Sequence, residues 1–186
     1  MELKLLDEHT VQSIYNEHMV IDFPKDELKP LPMILKAMKE SWYEPLGVYD
    51  ATKLIGYVFV IRMQNSYLID YLATFPEVRN KGKGANLLSL LKTHLSDADS
   101  IIGEVEDPAY TPDEEQAALQ QRRIGFYKRN GCYDTGLRVE CFGMKYIILE
   151  SGSTNLSADE AWKLYGDFYR SFLPKEKFDN CIHRII

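Results

Sequence analysis

The chain lacks long hydrophobic runs and has few cysteines. None of its segments approaches the run of about 18 apolar residues that crosses a bilayer, and the sequence begins without the pattern of a signal peptide. We therefore expect no membrane partner and a cytoplasmic location. The three cysteines are odd in number and widely separated, at positions 132, 141 and 181, which predicts neither a disulfide framework nor a Cys-x-x-Cys metal site.

Basic residues and metal-binding patterns are also scarce. The formal net charge is −6 and the isoelectric point is near 5.3, so nucleic acid is not expected as a partner and a cationic substrate is favoured. The four histidines are scattered without the spacing of metal ligands, and we expect no metal. No G-x-x-x-x-G-K-[ST] motif occurs, and Leu87 stands where a G-x-G-x-x-G motif would have its third glycine.

Periodic apolar segments predict a mixed α/β fold. With 45% hydrophobic and 12% aromatic residues the chain can build a substantial core, and its 186 residues suit one compact domain. Apolar and β-branched runs predict strands at 1–6, 46–49, 54–63, 67–74, 101–106, 137–142 and 144–149. Helical spacing predicts helices at 10–19 with Thr10 as its cap, at 30–42, in a leucine-rich segment after residue 84, and in a segment that ends near Asn130.

A polar segment near residue 150 divides the chain. Residues 151–155 have the composition of a linker, so we expect a domain at 1–150 and a helical extension at 151–186. In the extension, Ser157 and Glu160 form a capping-box pattern ahead of an apolar helical stripe. The extension either packs on the same domain or lies at a subunit interface, and the sequence does not distinguish between these two placements.

The most informative stretch joins a predicted strand to the leucine-rich helix. It reads Arg79-Asn80-Lys81-Gly82-Lys83-Gly84-Ala85. Its two glycines allow a tight turn and a close approach to a ligand, and the free N–H groups of the first helical turn lie at the positive end of the helix dipole. Such a loop suits a phosphate. Glycines at the start of a helix often serve only the geometry of the turn. The loop by itself therefore does not decide between phosphate binding and a purely structural role.

Two segments resemble the GNAT superfamily of N-acyltransferases. Residues 72–85 are similar to its acyl-CoA signature, R/Q-x-x-G-x-G/A after a strand that ends in a short apolar triplet and a proline. Residues 123–132 are similar to a later family helix, in which a tyrosine is followed four residues on by glycine. The resemblance covers residues 1–150 and implies a central, mostly antiparallel sheet that splays at the coenzyme site and is flanked by helices. The C-terminal helix is an addition to that fold.

The resemblance implies acetyl-CoA as the acyl donor and assigns residues to it. Backbone N–H groups of Leu72, Ala73 and Thr74 would bind the pantetheine arm. The pyrophosphate would be held by the backbone of five residues, Asn80, Gly82, Lys83, Gly84 and Ala85. Arg79 and Lys81 either add positive charge or are simply solvated. Gln120 stands where many relatives have an asparagine and can still offer an amide to the pantetheine, whereas Arg123 is bulky where many relatives have alanine.

The resemblance further implies direct transfer to a primary amine, without a covalent enzyme intermediate. Tyr127 would protonate the departing thiolate, and a phenol suits this role because its reference pKa of ~10 lies above the thiol's ~8.5. Glu104 would be the general base, with Asp70 as a weaker alternative. Glu106 projects to the same side of its strand as Glu104, so one of the two carboxylates could be the base and the other could recognise a cation. A solvated or ion-paired face is the alternative for both.

The acceptor side is less determined. Phe23 and Trp42 border a loop that lines the acceptor cleft in the family, so they either line that cleft or anchor the loop to the core. Polyamines, aminoglycosides, amino acids and protein N-termini all remain candidate acceptors, and a homodimer is one option because dimers are common among relatives. The alternative function is a non-catalytic module that binds acyl-CoA and reports on it through a partner.

Overall fold

The computed structural model describes residues 1–25, 27–79, 81–152 and 154–186. These residues form two compact units, namely Met1–Gln64 with Ile69–Asp97, and Asn65–Leu68 with Ala98–Ile186. The units do not divide near residue 150, and the boundary expected there stays a prediction. Strands and helices occur in both units, which confirms the predicted mixed α/β class.

The first unit combines strands with helices. In chain order its elements are β1 (Glu2–Leu5), α1 (Glu8–Ile14), α2 (Val20–Asp22), α3 (Leu31–Lys39), β2 (Tyr43–Asp50), β3 (Lys53–Met63), β4 (Ser66–Thr74), of which residues 69–74 belong to this unit, and α4 (Lys83–His94). A π-helical turn, Tyr15–Met19, joins α1 to α2. The strands lie in the order β1-β2-β3-β4, and the β1–β2 and β2–β3 pairs are antiparallel.

Strand β3 lies in the core of this unit because it is apolar on both faces. Tyr57, Val58 and Phe59 are fully buried. The neighbouring strand leaves no room for a side chain at Gly56, since a Cβ there would stand 2.5 Å from the carbonyl oxygen of Ala73 on β4. Glycine therefore permits the close approach of the two backbones at the end of β4.

Two helix boundaries differ from the sequence prediction. The carboxylate of Asp7 accepts the Thr10 N–H at 2.8 Å, so Asp7, and not Thr10, caps the first helix. The second helix is shorter than 30–42, and Trp42 lies outside it. Ser41 has a φ of 61°, and this left-handed residue ends the helical segment before β2 begins.

The second unit is a four-stranded antiparallel arrangement with helices. Its elements are β5 (Ser100–Glu106), α5 (Glu114–Arg129), β6 (Tyr133–Cys141), β7 (Met144–Glu150), α6 (Ala158–Phe172), α7 (Lys175–Cys181) and β8 (Ile182–Arg184). The strand order is β5-β7-β6-β8, and all three neighbouring pairs are antiparallel.

The C-terminal extension contains more than the single helix that the sequence predicts. The capping box is confirmed, because Ser157 accepts the Glu160 N–H while the Glu160 side chain accepts the Ser157 N–H at 2.9 Å. Helix α6 packs on β6. The sequence does not predict α7 and β8, since elements of seven and three residues are too short to show periodicity. In β8, Ile182 pairs with Cys141 of β6.

Candidate functional site

A short 3₁₀ turn, Pro76–Val78, joins the end of β4 to the glycine loop of the first unit. Leu72, Ala73 and Thr74, the predicted pantetheine residues, are the last three residues of β4 and are half-buried. The Phe75 N–H donates to the Ile55 carbonyl oxygen at 2.9 Å, which fixes the end of the strand. Asn80, a predicted pyrophosphate residue, lies outside the described residues.

Helix α4 begins at a glycine with open space beside it. Gly82 is the N-cap with a φ of 72°, and a Cβ built there would meet no atom within 4 Å. Within the described part of the chain, no side chain at the cap accepts a hydrogen bond from the first turn, which includes Lys83, Gly84 and Ala85. The N–H groups of that turn have no partner within the helix and lie at the positive end of its dipole. This geometry can bind a phosphate group.

Arg79 ties this loop to α2. Its guanidinium donates to Asp22 Oδ1 at 2.5 Å and to the carbonyl oxygen of Thr74 at 2.9 Å. Tyr57 donates to Asp22 Oδ2 at 2.9 Å, and burial, reinforced by the Asp22 charge, raises the pKa of Tyr57 well above its ordinary value. The Tyr57 hydroxyl therefore stays protonated as a donor. Asp22 and Tyr57 belong to no motif, so the sequence did not point to them.

The two lysines of the loop have different partners. Lys83 donates to Asp50 Oδ2 at 2.6 Å, and this hydrogen bond and charge lower the pKa of Asp50. Lys81 is exposed and donates to the Glu77 carbonyl oxygen at 2.9 Å. Among the described residues, Lys81 has no carboxylate partner. Its charge is the more available of the two to an anionic ligand.

Phe23 and Trp42, the predicted acceptor-side aromatics, are both half-buried in the first unit. Phe23 packs edge-on against Tyr71 at 4.9 Å between ring centroids. Trp42 donates from its indole nitrogen to Glu40 at 2.9 Å and packs edge-on against Tyr43 at 6.1 Å. These contacts account for the anchoring role of each ring, and a place in an acceptor cleft stays a prediction.

Asp70, the alternative base, is held inside the first unit. Its side chain is 2% exposed and lies 2.5 Å from Lys29 Nζ, and it accepts a second hydrogen bond from Tyr43 at 2.5 Å. Burial, followed by the nearby Asp70 charge, raises the pKa of Tyr43 well above its ordinary value. The Asp70 side chain is thus matched by a cation and a phenol, which suits a structural role.

Removing that cation should destabilise the fold. Lys29→Met leaves the buried Asp70 carboxylate without its ion-pair partner, and we expect the free energy of unfolding to fall by about 3 kcal/mol in urea denaturation. Lys36→Met is the matched control, because Lys36 is 76% exposed and pairs with Glu40 at 3.7 Å, so it should change little. Equal losses in the two variants would contradict a special role for the Lys29–Asp70 pair.

Tyr127, the predicted acid, lies on α5 in the second unit. Its ring packs against a cluster that includes Val105, Ile124 and Cys132. Burial raises the pKa of Tyr127 to about 12, opposed by the positive charge of Arg123 and reinforced by Cys132. Among the described residues its hydroxyl makes no hydrogen bond. It is therefore a protonated phenol.

The two carboxylate oxygens of Glu106 lie next to Arg123 and Gln120, the two residues that depart from the family pattern. Arg123 donates to Glu106 Oε2, and the Gln120 amide lies 3.5 Å from Oε1. The Gln120 carbonyl oxygen accepts from the Thr111 hydroxyl at 2.7 Å, and Gln120 is 8% exposed. Gln120 and Arg123 thus hold the end of β5 to α5, while the predicted roles of Gln120 toward pantetheine and of Glu106 toward a cation stay predictions.

Glu104, the predicted base, is bonded to α6. Its Oε1 accepts from Tyr165 at 2.5 Å and from Tyr169 at 2.9 Å. The alternation of β5 places Glu104 and Glu106 on the same side, yet their hydrogen-bond partners lie on different helices. Tyr165 and Tyr169 belong to no motif that would connect them to Glu104, so the sequence did not indicate this pair.

Metal and membrane patterns give no further candidate within the described ranges. There, no group of three or more His, Cys, Asp or Glu side chains is placed to hold a metal ion. No helix of the same residues combines the length and apolar character needed to cross a membrane.

Comparison with known proteins shows the fold. No protein-family model and no curated sequence matches the chain. Among solved structures, a Bacteroides thetaiotaomicron protein assigned to the GNAT family of acetyltransferases matches with a TM-score of 0.73 and 22% identity, over 92% of this chain and 97% of its own. The ribosomal-protein-S18-alanine N-acetyltransferase of Escherichia coli matches at 0.59 and 15%, over 83% and 97%.

An aminoglycoside 6′-N-acetyltransferase in complex with coenzyme A also matches, with a TM-score of 0.54 and 13% identity, over 81% of this chain and 96% of its own. These structures are similar to the chain over nearly their whole lengths. The chain therefore has the fold of the GNAT acetyltransferases.

Proposed function

We propose that the chain is an N-acetyltransferase that moves an acetyl group directly from acetyl-CoA to a primary amine. The start of α4 is the observation that carries this proposal, because it combines a left-handed glycine cap, open space beside that cap and first-turn N–H groups that no carbonyl within the helix accepts. A pyrophosphate needs this set of donors. The coenzyme A complex of a protein with the same fold adds support.

The coenzyme roles follow the chain from β4 into α4. Backbone groups of Leu72, Ala73 and Thr74 would orient the pantetheine arm and the thioester carbonyl. The first turn of α4 would hold the pyrophosphate, and the exposed Lys81 would contribute charge to it. Gln120 would serve the pantetheine only after giving up its bond to Thr111 or Glu106.

The transfer step would use Tyr127 and Glu104. The amine nitrogen forms a bond to the thioester carbon, the carbon–sulfur bond breaks, and the thiolate takes a proton. Tyr127 would donate its proton to that sulfur. This role is supported by the Tyr127 hydroxyl, which is protonated and makes no hydrogen bond to the described residues. Glu104 would accept the amine proton. Phe23, Trp42 and Glu106 are the proposed acceptor-side residues.

The first test is a calorimetric titration with acetyl-CoA, using ATP and NAD as controls. Saturable binding of acetyl-CoA alone, followed by acetylation of at least one amine in a panel, is the expected result. The panel should include a polyamine, an aminoglycoside, free amino acids and a peptide N-terminus. Proteins of the same fold are named for an aminoglycoside and for an alanine of a ribosomal protein as acceptors. Failure of acetyl-CoA to bind would reject the proposal.

A non-catalytic acyl-CoA sensor is the second candidate. It is favoured by the internal partners of Glu104 and Glu106, because both carboxylates are engaged within the second unit. The same titration separates the two functions. A sensor binds acetyl-CoA saturably but transfers no acetyl group to any amine of the panel, whereas the enzyme does both.

A further inference from the structure

We propose that Tyr165 and Tyr169 of α6 are positioning residues that hold the Glu104 carboxylate in one orientation for proton transfer. The proposal rests on the proposed acetyltransferase function. It gives the C-terminal extension a part in the chemistry, although the extension lies beyond the segment that resembles the GNAT signature.

The geometry of α6 brings both phenols to the same oxygen. Tyr165 and Tyr169 are four residues apart, so they lie on one face of the helix. Tyr165 is 0% exposed, Tyr169 is 2% exposed, and their ring centroids are 4.9 Å apart. Buried hydroxyl groups require acceptors, and Glu104 Oε1 supplies one to both.

Two donors on one carboxylate oxygen restrict its rotation. Glu104 is half-buried on β5, where its long side chain would otherwise sample several rotamers. Hydrogen bonds to the ionised form also stabilise that form. The tyrosine pair should therefore set both the direction and the basicity of Glu104.

Several groups of the described residues lie around Glu104 in the second unit. On α6 the titratable neighbours are Tyr165 and Tyr169, and burial with the Glu104 charge keeps the pKa of Tyr165 well above its ordinary value. On β6, Cys141 interacts with Tyr165. On β7, Glu104 pairs with the apolar Ile148. On β5 itself Glu106 is matched by Arg123 of α5.

Tyr169→Phe is the sharpest test because it removes one hydroxyl and keeps the ring between Tyr165 and Phe172. Carbon-13 NMR of the glutamate carboxyl groups follows Glu104 directly, with its signal identified by its loss in Glu104→Gln. We expect the midpoint of Glu104 titration to rise by about one pH unit in Tyr169→Phe. The acidic limb of kcat/KM should move by the same amount, while acetyl-CoA affinity is unchanged.

Tyr133→Phe is the matched control, since the buried Tyr133 hydroxyl has no hydrogen-bond partner among the described residues. It should move neither the Glu104 signal nor the pH profile. An unmoved Glu104 titration in Tyr169→Phe overturns the proposal, whether or not the chain is an enzyme. A shifted titration with an unmoved acidic limb also overturns it, because the pair would then be structural only. Wild-type protein that binds acetyl-CoA without turnover would instead refute the transferase function, and the NMR result would separately decide whether the tyrosines hold Glu104.

Discussion

Gly82→Trp should weaken acetyl-CoA binding by about 100-fold or more, equivalent to about 2.7 kcal/mol. The indole would fill the open space beside the start of α4, where the pyrophosphate is proposed to lie. It would also force a bulky residue into a φ of 72°, which favours glycine. Calorimetric titration of the variant with acetyl-CoA measures the loss.

Gly143→Trp separates the two causes of weaker binding, which are a blocked phosphate site and backbone strain. Gly143 has a φ of 86° and also meets no atom within 4 Å of a built Cβ, but it belongs to the turn between β6 and β7 and not to the glycine loop. The control therefore carries a similar backbone strain at a residue that is not part of the proposed phosphate site. If both variants bind acetyl-CoA alike, or if Gly82→Trp binds normally, the assignment of the loop is wrong.

Tyr127→Phe should lower kcat by about 100-fold and leave acetyl-CoA affinity nearly unchanged. The variant keeps the ring in its cluster with Val105 and Ile124 but removes the proton donor. Steady-state kinetics with the best amine of the panel, together with calorimetry, separates turnover from binding. Tyr133→Phe again serves as the control, because it removes a hydroxyl that has no partner among the described residues.

The pH dependence gives an independent check on Tyr127. A phenol donates only in its protonated form, which is present below its pKa and lost above it. Because burial raises the pKa of Tyr127 to about 12, its donor form should persist through pH 10. Deprotonation of Tyr127 should therefore not reduce the turnover of the wild-type protein below pH 10. The acid role would be refuted by an alkaline loss of turnover below pH 10 that occurs in the wild-type protein but not in Tyr127→Phe. Unchanged turnover of Tyr127→Phe at pH 7 would also refute it.

The strand, glycine loop and helix at residues 67–95 could be predicted from the sequence because their determinants are local. A strand, two glycines and a leucine-rich helix follow one another within residues 67–95, and the structure places β4, the Gly82 cap and α4 in that order. The same holds for the capping box of α6, whose two residues are three positions apart. Local patterns of this kind fix backbone geometry without reference to the rest of the fold.

The partners of the proposed site could not be predicted in the same way. Tyr165 and Tyr169 lie 61 and 65 residues from Glu104, and Asp22 lies 57 residues from Arg79. No spacing rule connects such pairs, because they meet only through tertiary packing. The prediction that the second helix extends to Trp42 was wrong for another reason. The helical periodicity continues past Ser41, and no sequence pattern indicates the left-handed conformation of that residue.

Gly56 shows that a binding surface can depend on a residue that no ligand touches. The atom it lacks leaves room for the Ala73 carbonyl, 2.5 Å from where a Cβ would stand. Position 56 is not among the proposed coenzyme contacts, and a survey of tolerated substitutions should nevertheless mark it as intolerant. Redesign of the proposed acyl-donor site must therefore keep a glycine inside β3.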